Sequence, residues 1–393
     1  MSEKTIAIAQ GTVDDLYGSS DEKDYCIHYL KESKLFHSIV IATPDTKESD
    51  KIKKLSLKWG VDYFSGDNYN VLSRFLEIVK LTKPKVIARV QLRALWVDID
   101  MIKQSITKVK EGYEYIDYDN DTNYALGADV FTTKALLKAS RMINKISDKS
   151  KRKIYEFSPW GLMNNKKLFK VGVIHYRNMW DKNRVNKLKQ KLDHLIGKEE
   201  NKQGINPENP GSRYLYIQPY LKDKDFVLDI ACGQGGGTKF LSQFVTKIIG
   251  VDINRSYINN AVKLYGNDSI QFHCMTDNGL ASLGTGFDKI ISLHTLEHVD
   301  NDKKFLLNLK KVLKPNGLLI LEVPRLLKYP LGEPLWPFHK REYDSEVLRK
   351  LLLECGFEVL EMKGDNRHIR GPIKNARETL FYVLSVHSEY CKP

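Results

Sequence analysis

The stretch VLDIACGQGGGTKFL, Val227 to Leu241, constrains the fold more than any other part of the chain: an apolar run, four glycines within five positions, then a helical pattern. An apolar strand that turns at once into a helix is a place where backbone approaches a ligand closely, and glycine supplies the positive φ such a turn needs. Side chains at Gly233, Gly235 or Gly237 are expected to block that approach. A dinucleotide loop of the G-x-G-x-x-G type would require glycine at position 238, where this chain has Thr238. A tight turn alone also selects glycine, so the nearby acids are what point to a ligand. Asp229 lies on the strand before the loop, suited to a cationic ammonium. Asp252 ends the next strand in GVDI, where its carboxylate can accept ribose hydroxyls. Asp277 follows the third strand in MTDNGL, suited to the edge of a nucleobase. The pattern describes a ligand with an amine, a ribose and a base, but no phosphate.

Two successive strand and helix alternations flank this loop. In the first half TIAIA, SIVIAT, VDYFSG and KVIARV are short β-rich runs, separated by helical stretches such as YCIHYLKESKLF and YNVLSRFLEIVKLT. A helical segment near Thr133 to Ile146 follows. The second half restarts with FVLDIA, KIIGVDI, SIQFHC, FDKIISL and GLLILEV, each a candidate buried strand, then a helix, DSEVLRKLLLECG, a strand, FEVLEM, and a final β-rich run, ETLFYVLSV. At 393 residues the chain exceeds what one core usually organises, so two α/β domains are expected. The boundaries read as residues 1–180, a basic connection over 181–210 that ends in Pro207, Pro210 and Gly211, and residues 211–393. Val185 to Ile196 within the connection has an amphipathic helical pattern.

Charge narrows the partners. The net charge is +13, and between Lys134 and Lys202 there are 19 Lys and Arg against 6 Asp and Glu, which leaves the rest balanced at 43 of each sign. Such a segment reads as a solvated basic face, or as a flank that attracts an anionic substrate. No basic and aromatic interleaving suggests a stacking platform, so nucleic acid is not the expected partner. The five cysteines are scattered and odd in number, which gives neither a disulfide framework nor a metal site, and none is expected. No apolar run is long enough to span a membrane, and MSEKTIAIAQ lacks the apolar stretch of a secretion signal. A cytoplasmic location is expected.

In the second half VLDIACGQGGG, GVDINRSYINNAVKLYG, FDKIISLHTLEHV, LKKVLKPNGLLILEVP and ECGFEVLEM follow one another in an order that resembles the class I S-adenosylmethionine-dependent methyltransferases, from about Arg213 onward. SRYLYIQPYL is similar to the aromatic helix that often precedes the first strand there. The resemblance implies a doubly wound sheet with an antiparallel last strand and S-adenosylmethionine as cofactor. It assigns Asp229 and the backbone of Gly233 and Gly235 to the methionine end, Asp252 to the ribose with the adjoining Ile253 also in the cofactor site, and Asp277 with Asn278 to the adenine.

Methyl transfer then asks the protein to orient an acceptor and remove its proton. His294 in SLHTLEHV ends the fourth strand, where ligands meet doubly wound sheets, and is the first candidate for a general base or a pocket-lining residue. Glu297 and His298 belong to the family's EHV stretch and read as fixing the helix start and the loop. The insertion EPLWPFHKREYD offers Trp336, His339, Arg341 and Tyr343 for recognising a sugar or an anionic group, or forms a lid packed by its own aromatics.

The first half, about residues 4 to 172, resembles the cytidylyltransferases that activate acidic sugars, of the acylneuraminate and spore-coat polysaccharide types. GVDYFSGDNYNVLSRFLEIVK, ALGADVFTTKALLKA and YEFSPWGLMNNKKLFKVG carry the likeness, which implies a Rossmann-like nucleotidyltransferase fold and a homodimer surface. Two departures stand out. Where the family has an Arg, Ser and Lys loop for triphosphate, this chain reads AIAQGTVDDLYGSSDEK with Asp14 and Asp15, and where it has a metal-binding aspartate, ARVQLRALWVDID places Arg93. An arginine cannot hold magnesium, so this domain is expected to be inactive. The leading function is O-methylation of a sugar, nucleotide-sugar or glycan in surface polysaccharide or glycoprotein assembly. The alternatives are an RNA methyltransferase using the basic segment, and a bifunctional cytidylyltransferase and methyltransferase.

Overall fold

The structure is a computed structural model. It describes residues 4–12, 15–16, 20–94, 97–119, 128–175, 211–326, 338–366, 369–372 and 379–386, with the single positions 186, 190, 205 and 207. The chain divides into two compact units, Met1–Lys202 with Leu327–Gly332, and Gln203–Leu326 with Glu333–Pro393. The division falls within the basic connection; the helix expected at Val185 to Ile196 lies outside the described residues, apart from Asn186 and Gln190. Among the described residues no helix is long and apolar enough to cross a membrane.

The N-terminal unit is built on β1 (Thr5–Gln10), β2 (Ser38–Pro44), β3 (Asp62–Gly66), β4 (Val86–Gln91), β5 (Tyr115–Tyr118), β6 (Asp129–Thr132) and β7 (Val171–Ile174), in the order β3-β2-β1-β4-β6-β5-β7. The first four are parallel, and β6 runs antiparallel between β4 and β5. Apolar residues fill the central strands because helices cover both faces of such a sheet. Charges are buried among them as well, Arg89, Asp117 and Asp129. The Arg89 guanidinium lies 3.0 Å from the Asp129 carboxylate, donates to Gln10 Oε1 at 3.0 Å and stacks over the Trp160 ring at 4.2 Å. Tyr115 donates its hydroxyl to the other Asp129 oxygen at 2.7 Å. A guanidinium this deep is tolerated only because each neighbour answers it.

The C-terminal unit is built on β8 (Phe226–Ile230), β9 (Lys247–Asp252), β10 (Ile270–Cys274), β11 (Phe287–Leu293), β12 (Leu313–Pro324), β13 (Phe357–Asn366), β14 (Ile369–Pro372) and β15 (Thr379–Val386), ordered β10-β9-β8-β11-β12-β15-β13-β14. β8 to β12 are parallel, and β15 inserts antiparallel between β12 and β13, as the family resemblance implied. Alternate residues of each strand feed opposite layers. Leu228, Ile249, Ile290, Leu319 and Tyr382 pack into one core, Val227, Ile248, Ile291, Ile320 and Phe381 into the other. Both faces are therefore dry, which explains the continuous apolar runs in the sequence. The chain winds outward from β8 through β9 to β10, then crosses back to β11 and winds the other way. The crevice at the C-terminal ends of β8 and β11 is the topological switch point, where doubly wound sheets accept ligands.

Candidate functional site

The glycine loop leaves β8 at this crevice. Ala231, Gly233 and Gly235 hold φ of 60°, 57° and 79°, so the backbone turns through the left-handed region three times before the helix Gly236–Leu241 begins. The glycines divide by role, which corrects the expectation that all three clear a path for a ligand. A Cβ at Gly235 would lie 2.7 Å from the Phe272 ring and 2.9 Å from Ala261, and one at Gly237 would lie 2.1 Å from the Tyr214 ring. Those two positions are filled by the protein itself. A Cβ at Gly233 would meet nothing within 4 Å, so this glycine alone faces open space.

Three acids stand in or just beyond β8, β9 and β10, on the side of the sheet where this loop lies. Asp229 is 2% exposed and accepts a 2.6 Å hydrogen bond from the Thr238 hydroxyl. Burial pushes its carboxyl up to about 7, against the hydrogen bond from Thr238 and with a contribution from Asp252. Asp252 is held from both sides, Oδ2 accepting the Gly233 amide at 3.0 Å and Oδ1 the Asn254 amide at 2.8 Å. These bonds fix the carboxylate plane and leave lone pairs for further donors. Ile253, beside it, is 75% exposed, an apolar platform at the end of β9. Asp277 and Asn278 are tied to Asn308, whose amide donates to Asp277 Oδ2 at 2.8 Å and Asn278 Oδ1 at 3.3 Å. Thr238, Asn308 and Tyr214 were not legible as site residues, because each is an ordinary helix position until the fold brings it to the loop.

His294 follows β11 with φ of 50°, a left-handed conformation that a residue with a Cβ adopts at a cost of about 1–2 kcal/mol. Its amide donates to the Glu322 carbonyl at 2.9 Å, and its ring is held between two acids, Nε2 3.2 Å from Glu322 and Nδ1 3.2 Å from Glu297. Both glutamates are wholly buried, and Arg213 also reaches Glu322 at 2.9 Å. Burial and Arg213 pull the imidazole pKa down, but Glu297 and Glu322 outweigh them, and the net shift is upward. Sequence reasoning missed Glu322 and Arg213. The signal was present for the first: an acid inside GLLILEV, a run buried on both faces, has to be paired.

The segment expected to meet the acceptor is stitched instead to the turn after His294. Arg341 donates to the carbonyls of Val299 at 2.8 Å and Asp300 at 2.9 Å, and the Tyr343 hydroxyl donates to Asp302 at 3.1 Å. Their polar groups are thus committed within the protein. His339 pairs through Nδ1 with Glu342 at 2.7 Å and packs edge-on against His298. Trp336 lies outside the described residues.

In the N-terminal unit the corresponding switch point lies between β1 and β4. Arg93 there reaches Asp15 at 3.6 Å, and a Cβ at Gly11 would lie 2.5 Å from that of Leu92. The two loops close on one another. Asp14 lies outside the described residues. Cys26, Cys232, Cys274 and Cys355 are free thiols, and Cys391 is not among the described residues.

Comparison with known proteins finds a family match in each half of the chain. Residues 203–362 match the methyltransferase domain family, and residues 24–208 match the cytidylyltransferase family. The chain joins a cytidylyltransferase domain to a methyltransferase domain. The second match begins after the loop that carries Asp15. A protein of Mycolicibacterium smegmatis named "probable S-adenosylmethionine-dependent methyltransferase" is 26% identical over 140 residues, 35% of this chain and 54% of its own length. O-methyltransferase resE of Aspergillus sclerotiorum is 27% identical over 37% of this chain and 59% of its own, and the ubiquinone biosynthesis O-methyltransferase of Rickettsia canadensis 27% over 35% and 64%. The chain spans about half the length of the first of these relatives. Among solved structures, an S-adenosylmethionine-dependent methyltransferase of Clostridium acetobutylicum is 18% identical with a TM-score of 0.37, covering 52% of this chain and 100% of its own. The cofactor these relatives imply is S-adenosylmethionine, and the open Gly233 position, the buried Asp229 and the anchored Asp252 fit its amine and ribose.

The raised pKa of Asp229 sets a prediction. A carboxyl protonated in the free protein near pH 6.5 must ionise to meet an ammonium, so cofactor binding releases a proton and tightens as pH rises through about 7. Calorimetry with S-adenosylmethionine in buffers of different ionisation enthalpy will detect the release, and Asp229→Asn will abolish it. Binding without proton release in the wild-type protein removes the ammonium contact from Asp229.

Proposed function

We propose that the C-terminal unit transfers a methyl group from S-adenosylmethionine to a hydroxyl of a sugar, nucleotide-sugar or glycan, in surface polysaccharide or glycoprotein assembly. The observation that carries the reading is the convergence of Asp229, the open Gly233 position and the doubly anchored Asp252 at one switch point. When bound, the cofactor supplies an already activated methyl carbon, so the protein's own task is to orient the acceptor and see its proton removed. Asp252 offers the ribose hydroxyls a carboxylate held in place by two amides. The exposed Ile253 suits the face of the adenine, and Asp277 with Asn278 its edge. Names of O-methyltransferases among the relatives support an oxygen acceptor. A cytidylyltransferase domain in the same chain supports a sugar.

His294 is read as an orienting residue of the acceptor side. With Nε2 3.2 Å from Glu322 and Nδ1 3.2 Å from Glu297, both ring nitrogens face buried carboxylates, which hold the ring in one orientation. The N-terminal unit is read as having lost nucleotidyl transfer. The position expected to bind metal carries a cation, Arg93, and that cation is paired with an acid in the loop expected to bind triphosphate.

The direct test is transfer of an isotopic methyl group from S-adenosylmethionine to a panel of nucleotide-sugars, polysaccharides and RNA. Label is expected in the sugar-containing acceptors, with Asp252→Ala weakening cofactor binding by about 1.5–3 kcal/mol. Label in RNA alone would sink the glycan reading, and unchanged cofactor affinity in the variant would remove Asp252 from the ribose.

With the labelled acceptor in hand, His294→Ala is expected to raise the acceptor KM while lowering kcat by less than about 10-fold. A kcat loss of about 10²-fold or more at constant KM is the signature of a general base and would overturn the orienting role.

Incubation with CTP, magnesium and acidic sugars is expected to release no pyrophosphate. Sustained release would make the protein bifunctional.

A further inference from the structure

We propose that Glu297, His298 and His339 bind a divalent transition-metal ion, a site that the chain's cysteine spacing gave no reason to expect. Each residue presents one ligand atom within 4.8 Å of the other two. Bonds of about 2.0–2.2 Å place the ligands of a tetrahedral ion roughly 3.3–3.5 Å apart, so small side-chain rotations close the shell.

The carboxylate is what calls for a cation. Glu297 is 0% exposed, and neither of its oxygens accepts a hydrogen bond. His294 Nδ1 lies 3.2 Å from Oε1 and His298 Nε2 3.9 Å, ion-pair distances at which neither ring nitrogen is aligned on a carboxylate oxygen. Nearly all buried polar groups accept or donate hydrogen bonds, and a buried carboxylate that has imidazoles beside it but no donor aligned on either oxygen is a costly exception. A metal ion within bonding distance satisfies it.

The two imidazoles are set up as ligands by what their other nitrogens do. His298 Nδ1 donates to the Phe338 carbonyl at 3.0 Å, which fixes the tautomer and leaves Nε2 with its lone pair toward Glu297. His339 Nδ1 lies 2.7 Å from Glu342 Oε1, the carboxylate and histidine arrangement that orients metal-bound imidazoles. The Lys340 amide, donating to the Glu297 carbonyl at 2.8 Å, holds the two segments together. Two imidazoles and one carboxylate suit zinc, cobalt, manganese or iron(II) better than magnesium or calcium, and three protein ligands leave a position open for an oxygen. Metal binding stands apart from the methyl-transfer reading.

The test is equilibrium dialysis of tag-free, chelator-stripped full-length protein against Zn²⁺ or Co²⁺, with metal content and the visible absorption of Co²⁺ as readouts. About one ion per chain is expected, with cobalt bands of a low-coordinate site. His298→Ala and Glu297→Gln should each weaken uptake by about 10- to 100-fold. His298 is half-exposed, so its removal spares the fold, and thermal melting will verify this for both variants. No stoichiometric uptake by the wild-type protein, or uptake unchanged in folded His298→Ala and Glu297→Gln, would overturn the site. Neither result depends on any methyl acceptor.

Discussion

A carboxylate without access to water, Glu322, ties the C-terminal site together. It projects from β12 in the middle of a run that is otherwise apolar, and meets Arg213 at 2.9 Å and His294 at 3.2 Å. An uncompensated carboxylate there would cost several kcal/mol, so the helix Gly211–Ile217 and the loop after β11 are both drawn to it. The strain at His294 follows. The left-handed turn is what lets one residue donate its amide to the Glu322 carbonyl and present its ring to the Glu322 side chain. Local strain held by surrounding bonds is the usual signature of a position kept for its chemistry.

Parallel strands explain how much of this was legible. β8, β9, β11 and β12 are buried over most of their length and appear in the sequence as largely apolar runs, while β10 alternates, and the ends of the runs of β9 and β11 located Asp252 and His294. β5, β6 and β7 have four residues each, with Asp117, Asp129 and Gly172 interrupting them, and no periodicity shows in so short a span. Partners are harder still. Glu322 reaches His294 because β12 lies beside β11, and Asn308 reaches Asp277 because a helix packs over the loop after β10. Neither adjacency is written in local sequence.

The glycine run shows how one sequence signal conceals several causes. Four neighbouring glycines suggest a single function, yet Gly235 makes room for Phe272 and Gly237 for Tyr214, while Gly233 opens to empty space. The aromatic side chains are thus part of the loop's design: by packing beneath it they hold the backbone where the Gly233 amide can meet Asp252. Substitution at Gly235 or Gly237 would disturb the site through this packing, not through contact with a ligand.

The two units show how far residues, and not topology, decide chemistry. Each sheet has a switch point where the loops of two parallel strands diverge, so each has the geometry for a ligand. In the C-terminal unit the first of those loops stands open at Gly233, and acids whose backbone and hydroxyl partners hold them in place line the opening. In the N-terminal unit Gly11 packs against Leu92, and Asp15 is answered by Arg93. A triphosphate carries several negative charges and a magnesium ion two positive ones. On the proposed reading, a triphosphate would meet an aspartate in the loop after β1 and a magnesium ion an arginine in the loop after β4, each of the wrong sign for it. One arrangement of parallel strands thus leaves an open glycine position beside anchored acids in one unit and a paired aspartate and arginine in the other.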